Sequence, residues 1–176
     1  MAICGAMDFD ARELERLFGA CFESEYQTVL IGGGTEPLYI PSKNPLQASH
    51  QVIYREDYFA SALHEVAHWC LAGPDRRKQE DYGYWYSPDG RNAEEQEAFE
   101  RAESKPQAIE SMFSEACGFP FQLSADNLDA GFGPSDRFAK AVAQARETYR
   151  RAGLPPRAEQ FRLSLLGLSG VDRKSR

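Results

Sequence analysis

The stretch ALHEVAHWC, residues 62–70, carries His64 and His68 four positions apart with Glu65 beside the first, and no other feature narrows the fold so far. Four residues advance an α-helix by about 6 Å and return to nearly the same face. Both imidazoles can then aim at one ion, with Glu65 one step round and within reach of an ion-bound water. Only three histidines occur in the chain, His50, His64 and His68. Ala62, Leu63, Val66, Ala67, Trp69 and Cys70 make this helix apolar nearly all round, the pattern of a buried helix. A lone histidine on such a helix is most often a core residue with a satisfied hydrogen bond. Two histidines and a carboxylate together are costly to bury without a partner, and a metal ion satisfies all three. The stretch reads as a metal-binding helix.

At 176 residues the chain has the length of one domain with a sizeable core. Its net charge of −7 argues against a nucleic-acid backbone as ligand, because phosphate binding needs a basic surface. No apolar run approaches membrane-spanning length. The opening MAICGAMDFD lacks a basic region followed by an apolar stretch, so no signal peptide is expected. Cys4, Cys21, Cys70 and Cys117 are scattered, with no C-x-x-C pair, and read as reduced thiols of a cytoplasmic protein.

Along the chain, residues 8–25 read as an amphipathic helix, and the metal helix as running from about 57 to 72 before Gly73-Pro74. Strands are expected at 27–31, 37–40 and 50–54, the first two joined by a turn at Gly32-Gly33-Gly34. A polar helix is expected over 92–104, and Pro106 opens a separate helix ending near Cys117-Gly118. Two further helices cover 135–152 and 156–167. The expected architecture is α+β: a small antiparallel sheet packed with several helices, the metal helix among them.

Two histidines hold a metal poorly, so a third ligand is needed. The candidates are His50, Glu80, Asp81, Glu100 and Glu103. FERAESKPQAIE is the most suggestive stretch. Gln107 follows Glu103 by four and, if the chain stays helical there, could orient a ligating histidine from behind. Two His and one carboxylate with open positions describe an Fe(II) site for O₂; the same set with Glu65 as general base describes a zinc peptidase. Spacing alone does not separate them. A non-catalytic adaptor with a structural metal would need four protein ligands, which the few histidines and scattered cysteines disfavour.

YFASALHEVAHWCLAG, DYGYWYSPDGR, FERAESKPQAIE and GFPFQLSADNL resemble successive blocks of the bacterial elongation factor P hydroxylases, over roughly residues 22–130. The resemblance implies a non-haem Fe(II) monooxygenase using O₂. Its substrate would be the lysine of elongation factor P already extended by a β-lysyl group. It also implies a fold related to the zincins, with HExxH on the metal helix and iron in place of zinc. His64 and His68 match the family's metal histidines, and Glu103 stands where its carboxylate ligand is expected. Tyr82, Tyr84, Trp85 and Tyr86 would then wall a channel for the alkyl-ammonium side chain, with Asp89 following them. Neither His50 nor His64 is followed two residues later by Asp, so a 2-oxoglutarate requirement is not expected.

Overall fold

The computed structural model describes residues 9–81, 91–125 and 134–169. The first helix, α1 (Ala11–Tyr26), begins where the Asp10 carboxylate accepts from the Arg12 backbone N–H. Leu14, Phe18 and Phe22, each four residues on from the last, form its buried stripe. Three strands follow, β1 (Thr28–Gly34), β2 (Leu38–Ile40) and β3 (His50–Arg55). After them come α2 (Phe59–Leu71), a short 3₁₀ turn at Arg76–Lys78, α3 (Ala93–Cys117), α4 (Asp136–Ala152) and α5 (Pro156–Ser169). The class is α+β, as the sequence suggests.

The sheet differs from the expected antiparallel one. Its order is β1-β3-β2, with β1 parallel and β2 antiparallel to the central β3. The three glycines do not turn the chain into a hairpin. They extend β1, so that Gly34 lies in register with Arg55 across a bulge between Ile31 and Gly34. The reason is steric. A Cβ on Gly32 would stand 2.6 Å from the Tyr54 hydroxyl, and one on Gly34 would stand 2.7 Å from Ile53 Cγ2. Gly33, at φ +91°, takes the left-handed backbone of the bulge. The chain then passes the end of β3 and adds β2 on its far side. Glu15 of α1 ties this corner down, accepting from the Gly32 N–H and the Tyr54 hydroxyl, both at 2.9 Å.

A second expectation also fails. Pro106 does not open a new helix; it lies inside α3, which runs unbroken over 25 residues. Asn92 and Glu95 form a reciprocal cap at its start, and Gly118 ends it at φ 74°. Proline in a helix interior removes the bond to the Ala102 carbonyl and costs about 3 kcal/mol in isolation. Here Pro106, Gln107, Ala108, Ile109 and Glu110 are all buried, so packing of the surrounding face offsets the lost bond.

The core places α2 at its centre. Leu14, Phe18 and Phe22 of α1, Val52 and Tyr54 of β3, Ile109 and Phe113 of α3, and Phe161 and Leu165 of α5 belong to one buried cluster with Leu63, Val66 and Trp69 of α2. A smaller cluster of Ala108, Phe138 and Val142 seats α4 on α3. Being enclosed by sheet and helices explains why α2 is apolar nearly all round.

Gly32→Ala is expected to lower stability by about 1–3 kcal/mol, since the new methyl meets a packed tyrosine ring. Denaturant melts with unchanged slope and a lower midpoint would show this, and an unchanged midpoint would contradict the close approach.

Candidate metal centre

α2 presents His64 and His68 one turn apart towards α3, whose Glu103 faces both. His68 Nε2 lies 3.1 Å from Glu103 Oε1, and His64 Nε2 lies 3.4 Å from Glu103 Oε2. The two Nε2 atoms are 3.0 Å apart. One carboxylate therefore spans two imidazoles, an oxygen towards each. Among the described residues these three are the group able to hold a metal ion.

A fourth residue fixes the arrangement, and the sequence reading missed it. Glu110 Oε2 lies 2.7 Å from His64 Nδ1. An ionised carboxylate only accepts, so Nδ1 carries the proton and Nε2 of the neutral ring keeps its lone pair for a ligand. This is how a metal-binding imidazole is commonly oriented. The signal was available: Glu110 closes the block FERAESKPQAIE, seven residues after Glu103 and so on the same helix face. Reading a helix break at Pro106 hid it.

The other candidates fall away for visible reasons. His50 Nδ1 accepts from the Ser42 N–H at 2.7 Å, on β3. Glu100 accepts from the Ser135 hydroxyl at 2.8 Å. Asp81 pairs with Arg76. Gln107 orients no histidine; its amide donates to the Ser124 carbonyl at 2.7 Å and accepts from the Ser124 N–H at 3.0 Å. It pins the segment after α3 instead. Tyr82, Tyr84, Trp85, Tyr86 and Asp89 lie outside the described residues.

The donor set fits a divalent cation. Ligand atoms about 2.1 Å from a shared ion stand roughly 3.0–3.4 Å apart, for right-angled to tetrahedral arrangements. The imidazole nitrogens, 3.0 Å apart, and the distance from each to its nearer Glu103 oxygen, 3.1 Å to Oε1 and 3.4 Å to Oε2, fall in that range, with a different oxygen facing each ring. Glu103 Oε2 is buried and has no hydrogen-bond partner. An orphaned carboxylate oxygen beside two imidazole nitrogens is what an ion would satisfy. The ligand set leaves the remaining directions open, and Glu65 and His68 line an adjoining cavity of about 30 Å³.

Electrostatics point the same way. Burial opposes charge on His64, but Glu110 and then Glu103 overcome it and hold the imidazolium well above its ordinary value. Burial likewise opposes charge on Glu103, yet His68 and His64 pull its carboxyl down to about 2. Glu65 is pushed above the usual carboxylate range, mainly by burial, with Glu103 and Glu110 adding to it and both histidines resisting. Without an ion, a proton on His64 supplies the positive charge this cluster of carboxylates requires.

Residues 17–172 match the family described as Elongation factor P hydroxylase. A Haemophilus influenzae protein named Elongation factor P lysine hydroxylase is 43% identical over 166 residues, spanning 94% of this chain and 93% of that one. The chain belongs to the elongation factor P hydroxylase family. The family match takes in both helices of the centre, α2 and α3, and every residue named in it.

In this family member His64→Ala or His68→Ala should abolish divalent-cation uptake while leaving the helical signal near wild type. Glu103→Ala should weaken uptake far more than Glu100→Ala, and Glu110→Gln by about 10–100-fold. Metal content after dialysis, measured on folded protein, checks all five variants, and the reverse order of Glu103 and Glu100 would reject the ligand set.

The metal-free protein should also show a pH window. Glu103's contribution is full above its ordinary value of 4.5 and is lost as pH falls towards 2. That of His64 is full below its ordinary value of 6.5 and is lost as pH rises through the elevated folded value. Both are complete between those ordinary values. Melting temperatures across pH should show a shoulder there that His64→Gln removes.

Proposed function

We propose that this chain hydroxylates elongation factor P, acting as a non-haem Fe(II) monooxygenase on the lysine already extended by a β-lysyl group. The observation that carries the reading is the convergence of His64, His68 and Glu103 in a member of this family. The relative named Elongation factor P lysine hydroxylase supports the substrate. Iron(II) bound by these three residues would supply, with O₂ and two electrons from a reductant, the oxidising power to replace a C–H bond by C–OH.

The chain's own residues do the rest. Glu110 holds the Nδ1 proton of His64 and so aims Nε2 at the ligand position. The apolar stripe of α2 and the core behind it keep bulk water from that side. Glu65 opens towards the cavity beside His68 and makes no hydrogen bond to another described residue. It is placed to take an ammonium or a proton from a substrate side chain. The aromatic run at Tyr82, Tyr84, Trp85 and Tyr86, with Asp89, remains the proposed wall of the channel for that cationic tip.

No 2-oxoglutarate is required in this reading, and neither nucleic acid nor membrane is a partner. Among the described residues no helix is long and apolar enough to cross a membrane. A cytoplasmic location, where translation factors work, goes with the proposal.

Intact mass of β-lysylated elongation factor P, after incubation with iron-loaded protein, O₂ and a reductant, is the deciding measurement. A gain of one oxygen on the β-lysylated form, lost in His64→Ala, is the expected result; no gain would reject the function. Trp85→Ala should cut turnover several-fold with iron content near wild type. Reproducible cleavage of unstructured peptides that Glu65→Gln abolishes would instead indicate a zincin-type zinc peptidase.

A further inference from the structure

Two arginines converge on one pair of aromatic rings near the C-terminal end of α2, and no carboxylate pairs with either among the described residues. The Arg157 guanidinium carbon lies 4.5 Å from the Trp69 ring centroid and 5.6 Å from that of Tyr26. That of Arg77 lies 5.8 Å and 5.2 Å from the same two rings. Arg157 Nη2 donates to the Cys70 and Ala72 carbonyls at the end of α2, at 3.1 and 2.5 Å. Its Nη1 is buried without a hydrogen-bond partner. So are Arg77 Nε and Trp69 Nε1.

Stacking on a ring face eases a guanidinium's charge but uses none of its N–H donors. An indole N–H can only donate, and when buried it ordinarily finds an acceptor. Three buried donors around two rings, two of them on like charges, form a cation pair that lacks its anion. The charges feel one another: Arg157 is held below the ordinary guanidinium value by burial first and by Arg77 next. Asp81, which lines the same cavity as Arg77 and Trp69, pairs with Arg76. Lys78 takes Asp75. Ordered water would satisfy the donors but supply no negative charge to two neighbouring guanidiniums.

We propose that Trp69, Arg77 and Arg157 form a binding site for a small organic carboxylate. A planar group with two oxygens suits guanidinium forks and an indole N–H. The cavity that Trp69 and Arg77 line, about 30 Å³, admits a small group beside these donors. Lined by His68 as well, the cavity joins the Trp69 and Arg77 side of this site to the candidate metal centre, while Arg157 lies against the Trp69 and Tyr26 rings. Glu65, which also lines it, stands one helical turn before Trp69, so the carboxylate end and the cationic end of the cavity are separate. The site does not depend on the hydroxylase reading, and its test uses no turnover.

The chain has two tryptophans, so Trp85→Phe leaves Trp69 as the sole tryptophan, excited selectively at the red edge of its absorption. Sodium acetate is titrated against sodium chloride at matched ionic strength while Trp69 emission is followed. A saturable acetate response with a millimolar midpoint is expected, and Arg77→Gln or Arg157→Gln should raise that midpoint at least about tenfold. Arg77→Lys and Arg157→Lys, which keep the charge and the packing stem, should give intermediate weakening. Melting temperature of the unmodified chain, higher in acetate than in chloride, gives the same answer without the Trp85 substitution. An acetate response no greater than that of chloride overturns the proposal, as does a midpoint unmoved in both glutamine variants. Inorganic phosphate saturating below acetate would likewise reject a carboxylate site.

Discussion

The structure depends on the packing of α2 against α3 through a carboxylate shared by two imidazoles. Glu103 sits 3.1 Å from one ring nitrogen and 3.4 Å from the other, with one of its oxygens otherwise unpartnered. Burying such a group is unfavourable unless positive charge meets it. The two helices are packed by Leu63, Val66, Ile109 and Phe113, but these apolar contacts alone would accept other alignments. The polar cluster allows one. Glu110 extends the constraint two turns further along α3 by gripping the opposite nitrogen of His64. His64 is thereby held from both sides, Nδ1 by one glutamate and Nε2 facing another.

This grip requires α3 to be a single rod. Glu103 and Glu110 share a face only because the helix continues through Pro106. A break there would turn Glu110 away and leave His64 free to rotate. The proline's missing hydrogen bond is tolerated because the surrounding residues are buried against α4 and the core. The buried Gln107 strengthens the same region, fixing the Ser124 backbone in both directions. Rigidity of this kind would hold the candidate ligand atoms ready for an ion, with little ordering left to be done on binding.

α2 carries a second pattern along its cavity-facing stripe. Glu65, His68, Trp69 and Ala72 follow one another at helical spacing and line one cavity. The stripe passes from a carboxylate, through a candidate ligand, to an indole flanked by two guanidiniums. Charge thus changes sign over about one turn of one helix. A substrate with an ammonium at one end, and a small acid at the other, would each find a complementary neighbour beside the same centre.

The sequence by itself determined the helix that carries the candidate ligands His64 and His68. Spacing of four, an apolar surround and a scarcity of histidines were sufficient, because helical periodicity is local and needs no tertiary partner to be read. The same holds for α1, α4 and α5, whose bounds lie close to the stretches 8–25, 135–152 and 156–167 expected for them. Glu103 could be named a candidate but not separated from Glu100, since one turn of a helix rich in glutamate offers several similar carboxylates. What only tertiary structure decided were the properties that compare distant segments. The glycines could read as a turn until Tyr54 and Ile53 were found against them, making β1 a parallel neighbour of β3. Pro106 could read as a helix start until burial of its face was seen to outweigh the lost bond. Glu110 lies 46 positions from His64 and acquires its role only when α3 packs on α2. Local pattern records which face a residue takes; which partner meets that face depends on packing between segments that the pattern does not compare.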